Sequence, residues 1–178
     1  MCLRIHRIVR DLHAFSRVDD DPSGATDVNA AVESALTMLR NELRYRAEVS
    51  RSLEASRLVL GSSARIGQVF LNLIHNAAQS IAPGDVEQNR IAVSSREDAG
   101  NVIIEVSDTG CGISSSDRER IFDMFYTTKP VGVGTGLGLA IVARIVRDHG
   151  GSLSVEDAAG RGGRFTFTLP LAADPVCS

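Results

Sequence analysis

The stretch Val102-Ile-Ile-Glu-Val-Ser-Asp108-Thr-Gly110-Cys-Gly112 runs from a dense apolar strand straight into a turn with few side chains. Val102 to Val106 carry enough apolar residues for a strand buried on at least one face. Asp108 closes that strand, and Gly110 and Gly112 let the backbone come close to a ligand. A carboxylate so placed can recognise a flat heterocycle, accepting from an exocyclic amine while the bare turn leaves room for the ring. Asp-Thr-Gly also marks ordinary strand-to-loop turns, so what lies on either side decides between the two.

Upstream, residues 63–81 read as a helix without breakers. At about 100° per residue, Ile66, Val69, Phe70, Leu73, Ile74, Ala77 and Ile81 cover one broad sector. Arg65, Gln68, Asn72, Asn76 and Gln79 fall in a narrow stripe opposite, with the two asparagines side by side. A solvated stripe is usually filled with Glu, Lys and Arg, whereas this one is mostly neutral amide. It is either an uncharged exposed face or a row of carbonyl oxygens facing a cavity. The second suits a hydrated Mg²⁺ shared with phosphates, an ion that takes few protein ligands.

Downstream, residues 126–139, Tyr-Thr-Thr-Lys-Pro-Val-Gly-Val-Gly-Thr-Gly-Leu-Gly-Leu, form a glycine-rich loop leading into a helix expected over 137–148. Glycines at a helix N-terminus expose unpaired N–H groups at the positive end of the dipole, which makes an anion site. Thr127, Thr128, Lys129 and Thr135 add hydroxyls and charge suited to phosphate. Lys129 is the only lysine in the chain. The spacing is not that of GxxxxGK[ST], and no strand leads directly into the loop as a dinucleotide fingerprint requires.

Further out, residues 3–17 read as the last turns of a helix, with Ile5, Ile8, Val9, Leu12 and Phe15 on one face. No helix-start signal precedes them, so the chain is expected to begin inside an element. Asp19-Asp-Asp-Pro-Ser-Gly24 is a linker by composition. Asn29 is expected to cap a helix running to Tyr45. Residues 49–53 and 57–60 read as two short strands forming a hairpin. Residues 90–95 and 101–107 read as neighbours turned at Asp98-Ala-Gly100, and 118–122 as a short helix. Strands at 152–156 and 164–169 close the sheet, leaving 171–178 as a frayed tail.

The chain has 178 residues and 43% hydrophobic content, which fits one domain with a sound core. A net charge of −3 gives no electrostatic case for nucleic acid or an anionic membrane. Cys2, Cys111 and Cys177 have no ligand spacing, which fits a reducing cytoplasm rather than a zinc site or disulfide scaffold. No apolar run approaches the roughly 20 residues needed to span a bilayer, and residues 1–10 lack the apolar stretch of a signal peptide.

Taken in order, these stretches resemble the ATP-binding catalytic domain of sensor histidine kinases, in the superfamily that includes gyrase, MutL and the heat-shock chaperone ATPases. Asn72-Leu-Ile-His-Asn76-Ala resembles the N box, and Asp108-Thr-Gly-Cys-Gly112 the first glycine box. Phe122-Asp-Met-Phe-Tyr-Thr-Thr-Lys129 resembles the F box, and Gly134-Thr-Gly-Leu-Gly138-Leu the second glycine box. The resemblance implies an α+β fold of the Bergerat type: a two-layer α/β sandwich, a mixed sheet of about five strands with helices on one face. It implies that Asp108 accepts from the adenine amine, with Gly110 and Gly112 at the base and Ile113 in the slot wall. Asn76 would ligate Mg²⁺ beside Asn72. Thr128, Lys129 and the backbone of Gly134, Thr135, Gly136, Leu137 and Gly138 would hold the phosphates, with Asn76 and Lys129 the catalytic pair. Residues 126–136 would form a lid that orders with nucleotide.

In ATP-hydrolysing branches of the superfamily, a glutamate four residues before the metal-binding asparagine activates water. Asn72 holds that position and cannot act as a base. The implied reaction is therefore transfer of the γ-phosphoryl group of Mg·ATP to a histidine rather than hydrolysis. Gln79 stands where many relatives have a basic residue, Ser80 where an aromatic is frequent, and Gly163-Arg164 where Gly-Thr is frequent. The implied domains are 1–18 (end of the second dimerisation and phosphoacceptor helix), 19–25 (linker), 26–170 (ATP-binding domain) and 171–178 (tail). His6 and His13 lie in the wrong helix for a phosphoacceptor, so this chain is expected to bind ATP without phosphorylating itself. Implied partners are the phosphoacceptor hairpin of the same kinase and a response-regulator receiver domain, with a homodimer in the full-length protein. Neither nucleic acid nor direct membrane contact is implied. An anti-sigma-factor type of serine kinase and a non-catalytic nucleotide-dependent interaction module remain as alternatives.

Overall fold

The structure, a computed structural model, describes residues 24–129, 134–158 and 162–172. The helix read over 3–17, most of the linker, loop residues 130–133 and tail residues 173–178 lie outside the described residues. In chain order the elements are β1 (Ala25–Thr26), α1 (Val28–Leu43), β2 (Glu48–Leu53), β3 (Val59–Leu60) and α2 (Ser63–Ser80). A 3-10 turn (Val86–Gln88), β4 (Arg90–Asp98), β5 (Asn101–Asp108), α3 (Gly138–Asp148), β6 (Leu153–Asp157) and β7 (Gly163–Pro170) follow.

Five strands form one mixed sheet in the order β2-β4-β5-β7-β6, parallel only between β2 and β4. The three helices cover one face, giving the two-layer α+β architecture that the resemblance implies. Period-2 alternation turns Val102, Ile104 and Val106 of β5 inward beside Ile91, Val93, Phe165, Phe167 and Leu169. The same alternation carries Asp108, the last residue of β5, onto the inner face. Across the layer, α2 buries Ile66, Val69, Phe70, Leu73, Ile74 and Ala77. Phe70 and Phe167 meet with ring centroids 5.6 Å apart and planes tilted by 53°, a favourable aromatic geometry.

The C-terminal end of α3 is tied to the start of α2. Arg65 pairs with Asp148 at 2.6 Å. His149 bonds the Ile145 carbonyl through Nδ1 at 2.7 Å, and its Nε2 accepts from the Ser62 N–H at 3.3 Å.

Several local expectations are corrected. Asp27, not Asn29, caps α1, accepting from the Ala30 N–H at 3.1 Å. Asn29 instead donates to the Ala55 carbonyl and accepts from Ser95 Oγ, both at 2.7 Å, and so anchors α1 to the sheet. Residues 49–53 and 57–60 form no hairpin. β2 runs parallel to β4, which a short turn cannot achieve, and β3 pairs with β1 in a separate two-stranded sheet. The Glu97 carboxylate holds the intervening chain by accepting from Ser56 N, Ser56 Oγ and Arg57 N. Residues 118–122 make successive turns instead of a helix, a length at which nucleation is unfavourable. Leu171 and Ala172 are not frayed: their N–H groups donate to Gly100 and Leu58 carbonyls at 3.0 and 2.8 Å.

Candidate functional site

A cavity of about 240 Å³ lies between the amide stripe of α2 and the loop that enters α3. The stripe exists because the opposite sector of α2 is committed to the core, leaving Asn72, His75, Asn76 and Gln79 on the cavity wall. Gly112 and Ile113 form the wall after β5. Thr128, Lys129, Gly134, Thr135, Gly136 and Gly138 face them from the loop and the first turn of α3. The structure thus brings ten of the predicted site residues to one cavity.

Asp108, Gly110 and Leu137 do not line it. Asp108, the last residue of β5, is only 6% exposed. Its Oδ1 accepts from Ser80 Oγ and from the Gly110 N–H, each at 2.8 Å. Burial pushes its carboxyl above the ordinary value, against the opposing hydrogen bonds of Ser80 and the Gly110 and Gly163 backbone. Gly110 has a packing reason for lacking a side chain, since a Cβ there would lie 2.1 Å from Ser80 Oγ. Leu137 is a core residue at 1% exposure, and its N–H donates to Thr135 Oγ1 at 3.3 Å.

At the other end, Lys129 Nζ donates to Asn76 Oδ1 at 2.7 Å and to Gln79 Oε1 at 2.8 Å. The start of α3 has no side-chain cap, so its first N–H groups present the partial positive charge of a helix N-terminus beside the cavity. Asn72 Nδ2 is buried without a hydrogen-bond partner. The two stems of the loop are joined where the Phe125 N–H donates to the Gly136 carbonyl at 2.9 Å. Gly136 has φ +67°, and a Cβ on it would lie 2.4 Å from the Phe125 carbonyl carbon, so only glycine closes this neck.

The sequence reading leaves His75, Asp117, Ile121, Tyr126 and Leu139 out of the site, offers Thr127 as a phosphate-suited hydroxyl, and places Gln79 on the amide stripe without a role of its own. His75 was discoverable, because it lies on the same helical stripe as Asn72 and Gln79. Asp117 and Tyr126 had no signal. They meet only because successive turns fold back, with Tyr126 Oη donating to Asp117 Oδ1 and the Arg120 guanidinium 4.3 Å over the Tyr126 ring. That hydrogen bond, with a second from Ser114, holds the Asp117 carboxyl below its ordinary value. Among the described residues no helix is long and apolar enough to cross a membrane.

Residues 61–173 match the family described as histidine kinase-, DNA gyrase B-, and HSP90-like ATPase. The C4-dicarboxylate transport sensor protein DctB of Rhizobium meliloti (strain 1021) is 39% identical over 171 residues, covering 95% of this chain and 27% of DctB. The sensor histidine kinase ZraS of Escherichia coli O157:H7 is 35% identical over 171 residues, covering 94% of this chain and 36% of ZraS. The chain therefore spans about a quarter to a third of the length of these relatives. Among solved structures, the mycobacterial sensor histidine kinase MprB superposes with a TM-score of 0.74 at 30% identity, covering 84% of this chain and 97% of that one. The catalytic domain of histidine kinase ThkA gives 0.72 at 28% identity, covering 83% and 95%.

Proposed function

The chain belongs to the histidine kinase-, DNA gyrase B-, and HSP90-like ATPase family, and on that premise we propose that it binds Mg·ATP and donates the γ-phosphoryl group to a histidine on a separate dimerisation segment. The observation that carries this is the Lys129 ammonium seated against the Asn76 carbonyl, beside the uncapped start of α3. Together these groups offer positive charge to phosphate oxygens and a neutral oxygen to a cation. Phosphoryl transfer asks mainly for such positioning and charge neutralisation. The Asn76 oxygen already accepts from one cation, which fits Mg²⁺ shared with phosphate oxygens. When bound, that ion would neutralise charge on the phosphates. Among the described residues no cluster of three His, Cys, Asp or Glu side chains offers a site independent of nucleotide.

Asp108, buried at the end of β5, is the acceptor we assign to the adenine amine, with Gly110 beside it and Gly112 and Ile113 against the ring. Thr128, Lys129, Gly134, Thr135, Gly136 and Gly138 are assigned to the phosphates, and Leu137 serves through the core. Asn72, four residues before Asn76, cannot take a proton from water, which favours transfer over hydrolysis. By this reading residues 26–170 are the ATP-binding domain and 1–18 the end of a phosphoacceptor helix. The partners are that hairpin in a homodimer and a response-regulator receiver domain, in the cytoplasm where ATP is available. The serine-kinase and interaction-module alternatives draw no support from the relatives.

Mixing the chain with a phosphoacceptor hairpin, Mg²⁺ and labelled ATP tests the proposal. Acid-labile, alkali-stable label on the hairpin is expected. Label on serine, or nucleotide binding with no transfer to any cognate hairpin, would overturn it.

A further inference from the structure

Two residues of α2 act on Lys129 itself. The ammonium sits between carbonyl oxygens of Asn76 and Gln79, at 2.7 and 2.8 Å. These residues are three apart and therefore neighbours on the helix surface. An ammonium has donors only, so the Gln79 amide must present its oxygen to Lys129. Its nitrogen then faces His75 Nε2 at 3.1 Å. An amide nitrogen also only donates, so the imidazole nitrogen accepts. The same nitrogen lies 3.4 Å from Glu42 Oε2 on α1. Lys129 and His75 thus agree on which way round the Gln79 amide stands, oxygen to the ammonium and nitrogen to the imidazole.

We propose that Gln79 is a positioning residue for Lys129, its amide oriented by His75, and that it keeps the ammonium at the cavity when the Asn76 carbonyl is engaged elsewhere. The grip spans 50 residues of sequence and joins the loop to α2 before any ligand arrives. A long side chain held in advance has less freedom to lose on binding. The link to phosphate rests on the function proposed above; the grip itself does not.

Because Lys129 is the chain's single lysine, labelling lysine with ¹⁵N and ¹³C gives one side-chain signal from the full 178-residue protein. Without nucleotide, wild type is expected to show Nζ and Cε shifts displaced from those of free lysine. Gln79→Leu should move them toward free-lysine values with little change in Tm, and Gln79→Glu, which still offers an acceptor, should keep them displaced. Should Gln79→Leu not fold, Gln79→Ala carries the same comparison. His75→Leu should move the signal part of the way. In calorimetry, ATP affinity of Gln79→Leu should fall about tenfold, the worth of one charge-assisted hydrogen bond. Lysine shifts that are the same in wild type and Gln79→Leu, or move equally in Gln79→Glu, overturn the proposal, as does an ATP affinity within twofold of wild type. A wild-type chain that binds no ATP would count against the proposed function and leave the lysine comparison intact.

Discussion

The two ends of the candidate site hold their polar groups by different physics. At the Asp108 end, the carboxylate terminates a core strand and its partner Ser80 terminates a core helix, so both are set by apolar packing beneath them. At the Lys129 end, the cation comes from a loop and rests on the side-chain amides of Asn76 and Gln79, with the loop stems joined at Phe125 and Gly136. The same loop exposes Phe125, at 64%, with a left-handed backbone of φ +67°. The first end is made by folding. The second is assembled from contacts that can be removed while the fold stands, so recognition of a base and of phosphates should separate under mutation.

The sharpest way to break that contrast is Phe70→Ala. Its ring is fully buried against Phe167 between the helix and the sheet that end at Ser80 and Asp108, and its loss should cost about 3–5 kcal/mol, read by urea denaturation. A cost under about 1 kcal/mol would show that this end does not lean on the core. Asp108→Asn comes next, with nucleotide affinity expected to fall roughly a hundredfold, by loss of a charged acceptor, and adenine preference lost while the domain stays folded. Its stability should also carry a sign. Burial raises this carboxyl's folded value, so the ionised form is the costly one. Wild type then loses stability relative to Asp108→Asn as pH rises above 3.8, the group's ordinary value. Denaturation midpoints that differ equally at pH 3.5 and pH 7 would contradict that.

Gly136→Ala should have a middling effect. Forcing a Cβ into the neck costs about 1–3 kcal/mol locally, and calorimetry should show weaker ATP binding with a smaller Tm loss than Phe70→Ala. Equal losses in both would mean that the loop is as integral to the fold as the core. The smallest effect is expected from Tyr126→Phe. The Tyr126 hydroxyl is the main cause holding the Asp117 carboxyl low, so its stabilisation is present above pH 3.8 and fades as pH falls through the lowered folded value. Carboxyl NMR titration of the variant should find Asp117 moved up toward its ordinary value, with Tm at neutral pH nearly unchanged.

Elements whose evidence is periodic were legible before any coordinates. The apolar sector of α2, the alternation along β5 and β7, and the glycine entry to α3 each repeat a local pattern, and local sterics decide them. Contacts between distant side chains were not. Asp27 and Asn29 are both good caps by type, and only the pull of Ser95 and Ala55 on Asn29 separates them. The expected hairpin failed because strand pairing depends on which edge is open, and β2 finds that edge on β4. Gln79 reads from sequence as one amide of the α2 stripe, and only the fold brings its carbonyl to a lysine from the loop.

By itself, the sequence determined the apolar sector and amide stripe of α2, the alternation along the core strands and the glycine-rich entry to a helix, because hydrophobic period and backbone freedom act between near neighbours along the chain. Tertiary structure alone decided that Asp108 is buried off the cavity lining, that Leu137 belongs to the core, and that Lys129 rests on Asn76 and Gln79. The reason is geometric: a hydrogen bond needs atoms within about 3 Å, and only the packed layers bring together groups so far apart in the chain.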